Sequence, residues 1–122
     1  MLSVIIPANN ESGYIAACWG LMVIELAKGG KPMALNAGDT AAQGEMRVYL
    51  DADVRVSAPL MAQLVTALAV EDARYATGKA VIPAARSAIT RAYARFWQKL
   101  PFAQSTAPGH GLFAVNAPGR KR

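Results

Sequence analysis

Asp51 and Asp53 stand one residue apart at the end of an apolar run, in the segment MRVYLDADV. Side chains alternate faces along an extended strand, so residues two apart share a face. Both carboxylates can meet one cleft if the extended geometry continues past Leu50. Two close carboxylates repel unless a cation or a proton lies between them. Mg²⁺ and Mn²⁺ are hard ions that take oxygen ligands, commonly one or two carboxylates with substrate phosphates completing the shell. The pair therefore suits a divalent metal bridging to a diphosphate. A polar strand end followed by a turn would use the same two residues without any metal. A D-x-D pattern alone is too short to decide between these uses.

Four other residues have types that could serve such a site. Glu11 follows Asn9 and Asn10, which can cap a helix, and an acid in a first turn complements the helix N-terminus. That structural use accounts for Glu11 about as well as a pocket role does. Lys31 lies in the turn AKGGKP, where a solvated lysine is ordinary. Asn36 can cap or back-bond within its own helix. His110, the only histidine, is flanked by glycines in PGHGLF and could act as base or ligand, although loop histidines mostly have no such role.

The elements that must position these residues alternate in type. LSVIIP, residues 2–7, reads as a buried strand closed by Pro7. NNESGYIAAC follows as a helix weakened by Gly13 and ended by Gly20, and LMVIEL, residues 21–26, reads as a second strand. Pro32 suits the first turn of an alanine-rich helix that runs to about Gly44, with Gly38 as a weak point. MRVYL, residues 46–50, is the next strand. Ser57 caps a helix whose apolar stripe is Leu60, Met61, Leu64, Val65 and Leu68. RYATGKAVI, residues 74–82, reads as strand. Residues 85–100 form an amphipathic helix stopped by Pro101, with Ile89, Tyr93, Phe96, Trp97 and Leu100 on one face and Arg91, Arg95 and Lys99 on another. GLFAVN, residues 111–116, is a last short strand. This alternation predicts an α/β layered domain with a largely parallel sheet. Ligands of such sheets bind just beyond the carboxyl ends of the strands, where Asp51 stands.

At 122 residues, 53% of them hydrophobic, the chain has the size and core material of one small domain, residues 1–122. Its charge is divided. Residues 1–72 carry four cations against eight acids, and residues 73–122 carry nine cations and no acid. A half without acids suggests an anionic partner: nucleotide phosphates, nucleic acid or an acidic membrane surface. The lone Cys18 fits a reducing compartment. No apolar run has the length of a membrane span, and no signal peptide is expected, so the expected location is cytoplasmic, with or without contact to a membrane.

Three segments in order, SVIIPANNE, GGKPMALNAG and YLDADVRVSAPLMAQLVTAL, together resemble the family 2 glycosyltransferases of the GT-A fold. GKAVIPAARSAITRAYARFW and GHGLFAVN are similar to that family's stretch after the metal motif. The resemblance covers nearly the whole chain and implies a three-layer α/β/α domain of the nucleotide-diphospho-sugar transferase kind. It implies a nucleotide-diphosphate sugar as donor, an acceptor of unstated identity, and Mn²⁺ or Mg²⁺ as cofactor. Pro7, Ala8, Asn9 and Glu11 would line the base and ribose side. Lys31 and Asn36 would lie near the diphosphate or the preceding strand end. Asp51 would contact ribose or sugar hydroxyls and share the metal with Asp53, the more direct ligand.

Two parts of the family pattern are missing. No acidic D-D/N-G-S-T-D-like segment, which in the family recognises the base, precedes Lys31. No Asp or Glu follows Asp72 to deprotonate an acceptor hydroxyl, as an inverting transfer requires. The expectation is an incomplete, truncated or internally deleted domain with weak or absent transferase activity, no assigned catalytic residue, and an exposed sheet edge that favours a homodimer. A competing expectation is a non-catalytic module binding an acidic membrane surface or nucleic acid through the basic half. There Arg86, Arg91, Arg95, Lys99, Arg120, Lys121 and Arg122 would meet the anions. Tyr93, Phe96 and Trp97 could enter an interface, but packing of their helix on the core is the favoured account of that stripe.

Overall fold

The run MRVYL becomes the centre of the fold because both of its faces find cover. The structure, a computed structural model, describes residues 1–8, 22–79, 81, 87–101 and 111–121. Among them, β1 (Leu2–Ile5) pairs in parallel with β2 (Met46–Leu50), with Val4 opposite Val48 and Ile5 opposite Tyr49. Strand β3 (Tyr75–Ala76) and strand β4 (Leu112–Val115) complete a sheet of order β1-β2-β4-β3. The β2–β4 and β3–β4 pairs are antiparallel. The sheet is therefore mixed, and the expected largely parallel sheet is corrected to one parallel pair and two antiparallel ones. A long connection, residues 6–45, carries the chain from β1 to a parallel neighbour, whereas β4 returns against β2.

Among the described residues four helices accompany the strands: α1 (Lys31–Ala41), α2 (Ala58–Leu68), α3 (Ala88–Lys99) and the single turn α4 (Ala117–Arg120). Alternation along β2 decides where two of them go. Val48 and Leu50 point to one face, where Leu64 and Leu68 of α2 join Leu112 and Ala114 in the buried core. Leu60, Met61, Val54 and Leu2 close its rim. Ser57 starts α2 as expected, its hydroxyl accepting from the Leu60 N–H at 3.3 Å, with proline in the first turn. Arg47 and Tyr49 point to the opposite face, toward Asp39 of α1 and Arg120 of α4. Gly38 lets α1 approach closely, since a Cβ there would stand 2.5 Å from Ile5 Cγ2. The glycine that weakens this helix in isolation is where it meets the sheet.

Several expectations fail here. Residues 22–26 form no strand, and Met22, Val23, Ile24 and Leu26 are exposed. Among the described residues no strand pairs with this run, and a strand needs a neighbour more than it needs composition. Of the strand expected over 74–82, only Tyr75–Ala76 pairs among the described residues. The stripe expected to pack α3 on the core does so only in part: Trp97 and Leu100 are half-buried, whereas Ile89, Tyr93 and Phe96 are 82%, 64% and 62% exposed. The helix is instead buried at Ala94, with Trp97 and Gln98 half-buried beside it. The helix expected after Asn9 or Asn10 lies outside the described residues.

Candidate functional site at the carboxyl edge of the sheet

Because β1 and β2 are parallel, their carboxyl ends lie at one edge of the sheet. Pro7 and Ala8 follow β1 there, and Asp51 follows β2. The amino terminus of α1 comes to the same edge. Lys31 Nζ stands 2.6 Å from Asp51 Oδ1, with the lysine side chain 57% and the aspartate side chain 33% exposed. Gly30, at φ +140°, turns the chain into α1 and offers no side-chain cap. Its carbonyl accepts from the Ala34 N–H at 3.0 Å. The helix start thus presents first-turn N–H groups and a cation beside the Asp51 carboxylate.

The far wall of Asp51 is made by the start of β4. The Asp51 N–H donates to the Gly111 carbonyl at 2.7 Å. Gly111 has φ +78°, and a Cβ added there would stand 2.6 Å from Val54 Cγ2 and 3.2 Å from Asp51 Oδ2. Glycine is required at this position by both backbone conformation and space. In the sequence Gly111 was legible only as one of the glycines flanking His110, not as a wall of the Asp51 site.

The two aspartates do not continue an extended strand. The Val54 N–H donates to the Asp51 carbonyl at 3.0 Å, closing a turn over Asp51–Val54. This corrects the condition on which strand alternation would have put both carboxylates on one face. Asp51 is half-buried against Lys31 and Gly111, and Asp53 is exposed on the turn. Asn36 is exposed five residues into α1, about 7.5 Å further along the axis than Lys31 and on a different side of the helix. Its carbonyl accepts from the Thr40 hydroxyl at 2.9 Å. The structure brings Lys31 and Asp51 together, with Pro7 and Ala8 at the same edge, and does not add Asn36 to them. Asn9, Glu11 and His110 lie outside the described residues.

The donor chemistry can be tested against a divalent cation. Among the described residues no three His, Cys, Asp or Glu side chains group as metal ligands. Among the described residues at this edge the carboxylates are Asp51 and Asp53, an all-oxygen pair. Oxygen donors of this kind suit hard cations such as Mg²⁺ or Mn²⁺. With Oδ1 of Asp51 already against Lys31, Asp53 is the freer donor.

A second polar cluster lies on the α1 face of the sheet. Asp39 Oδ1 accepts from Tyr49 Oη at 2.8 Å and from Arg47 Nε at 3.1 Å, and Arg120 Nε stands 3.8 Å away. Arg47 is 4% exposed, and its Nη2 donates to the Ala42 carbonyl at 2.7 Å. Tyr49 stacks on Phe113 at 4.5 Å between ring centres, and Phe113 stacks on Tyr75 at 6.0 Å. Burial pushes the Asp39 carboxyl up, but the Tyr49 and Arg47 hydrogen bonds with the Arg120 and Arg47 charges outweigh it and hold the group below the usual range. Burial, the Asp39 hydrogen bond and the Asp39 charge push the Tyr49 phenol up to about 12. This cluster joins α1, β2 and α4, so its work is structural. A shallow groove lined by Glu45, Leu68, Glu71, Asn116 and Pro118 lies at the opposite edge of the sheet, away from Asp51.

No family model, no curated protein and no solved structure matches the chain. Among the described residues no helix is long and apolar enough to cross a membrane.

Proposed function

We propose that the chain is a glycosyltransferase-like domain of the three-layer GT-A kind, which binds a nucleotide-diphosphate sugar through Mn²⁺ or Mg²⁺ at the edge where β1 and β2 end. The observation that carries the reading is the 2.6 Å contact between Lys31 and Asp51. It joins two of the three segments that resemble the family 2 glycosyltransferases, at the sheet edge where open α/β folds bind ligands. Helices against both faces of the sheet, α1 on one and α2 on the other, support the layered architecture.

The parts suit the chemistry of the donor. Cleavage of a sugar–phosphate bond builds negative charge on the departing nucleoside diphosphate. The Lys31 ammonium and the uncapped first turn of α1 are fixed positive groups for that charge. A divalent cation held by Asp53, with Asp51, would supply Lewis-acid stabilisation of the same oxygens. Asp51, steadied by Lys31 and by its backbone bond to Gly111, is placed to accept hydrogen bonds from ribose or sugar hydroxyls. Pro7 and Ala8 flank the nucleoside side. Residues 73–122 hold no carboxylate, so β4 and α3 supply no acidic base for an acceptor hydroxyl. Donor binding is therefore the function assigned to these residues.

Electron paramagnetic resonance of Mn²⁺ tests the proposal. Free Mn²⁺ signal should fall on adding the protein with UDP or GDP, and Asp53→Ala should restore it. Equal signal loss for wild type and Asp53→Ala would reject the assignment.

A further inference from the structure

We propose that α3 is a docking helix for an anionic lipid bilayer, lying along its surface with Ile89, Tyr93 and Phe96 in the headgroup–acyl boundary. This goes beyond nucleotide binding at Asp51 and rests on different residues. At about 100° per residue, Ile89, Tyr93 and Phe96 fall within one sector roughly 60° wide. All three are more than half exposed, Ile89 at 82%. Arg91, Arg95 and Lys99 fall in the adjoining sector, roughly 80° wide, and all are exposed. Buried Ala94 marks the remaining side, where the helix rests on the protein. One helix thus divides its surface among protein, cations and apolar side chains.

Charge chooses the occupant. Helix α3 has three cations and no acid, within a half of the chain that has no acid anywhere. That favours a negatively charged surface and opposes an ordinary apolar protein groove. The apolar sector then separates a bilayer from a nucleic acid. Phosphate backbones would engage the cations but leave Ile89, Tyr93 and Phe96 in water. A bilayer takes the apolar side chains while its anionic headgroups meet the flanking cations.

Co-sedimentation of the full chain with vesicles tests this, comparing phosphatidylcholine alone with phosphatidylcholine containing phosphatidylglycerol. Binding is expected to the anionic vesicles and to be much weaker on the neutral ones. Neutralising two cations, Arg95→Gln with Lys99→Gln, should weaken it roughly twenty-five-fold, at about a factor of five per charge. Phe96→Asp should abolish it while circular dichroism stays unchanged, because the side chain is on the surface. No sedimentation with anionic vesicles overturns the proposal. So does binding to Phe96→Asp as tight as to wild type, or binding to RNA with none to vesicles.

Discussion

Lys31 is the residue on which the proposed site turns, because its ammonium stands against the Asp51 carboxylate and is the cation the proposal assigns to a diphosphate. A charge-assisted hydrogen bond contributes about 1.5–3 kcal/mol. Lys31→Met should therefore weaken UDP binding in the presence of Mn²⁺ by at least roughly tenfold, read by competition against a fluorescent nucleotide. If Lys31 serves only to neutralise Asp51, the affinity will be unchanged or will rise. A second residue-scale prediction concerns Asn116, which is 3% exposed. Its Oδ1 accepts from the Arg74 and Gly119 N–H groups, and its Nδ2 donates to the Val70 and Asp72 carbonyls. Asn116→Ala leaves buried backbone groups unmatched and should cost about 3 kcal/mol in urea unfolding. Asn116→Asp should fail as well, because a carboxylate has no donor for the two carbonyls. Nothing in GLFAVN marked this asparagine, since its four partners come from segments far apart in the chain or beyond the strand's end.

At the scale of elements, Gly38 sets how closely α1 approaches β1. Alanine there would gain up to about 1 kcal/mol in helix propensity. Overpacking against Ile5 costs about 1–3 kcal/mol, and a β-branched side chain at 2.5 Å has little room to yield. Gly38→Ala should therefore be net destabilising by roughly 1 kcal/mol, and Ile5→Ala in the same chain should recover part of that loss. Additive losses in this double-mutant cycle would show that the two sites do not touch. Elements with strong local signals were legible: MRVYL is β2 residue for residue, and Ser57 with Pro59 starts α2. Residues 22–26 were misread because an apolar run does not reveal whether a neighbour will pair with it. The α3 stripe was recognised, but only its Trp97 and Leu100 are half-buried, while Ile89, Tyr93 and Phe96 face outward. Periodicity identifies the apolar side of a helix and leaves open what covers it. The two aspartates were legible as a pair of neighbouring acids, but the turn at Asp51–Val54 was not, since it depends on β4 arriving beside Asp51.

At the scale of the whole molecule, the Asp39–Arg47–Tyr49 cluster links stability to pH. Asp39 has a lowered carboxyl pKa in the folded state, so its contribution is present above its ordinary value of about 4 and is lost as pH falls below that. Tyr49 has its pKa raised to about 12. Its contribution is complete below the ordinary tyrosine value of about 10 and is lost as pH climbs from there toward 12. Urea midpoints should therefore fall in both directions away from neutrality. Tyr49→Phe should remove that residue's share of the alkaline fall, whereas a wild-type alkaline limb in the variant would refute the assignment.

The central claim concerns the other end of the sheet, and isothermal titration of UDP and GDP tests it most directly. Wild type and Asp53→Ala are compared with and without Mn²⁺. Heat of binding only with Mn²⁺, and only in wild type, is the predicted result. No binding under any condition, or binding that ignores both the metal and Asp53, would contradict a nucleotide-diphosphate site at Asp51 and Asp53.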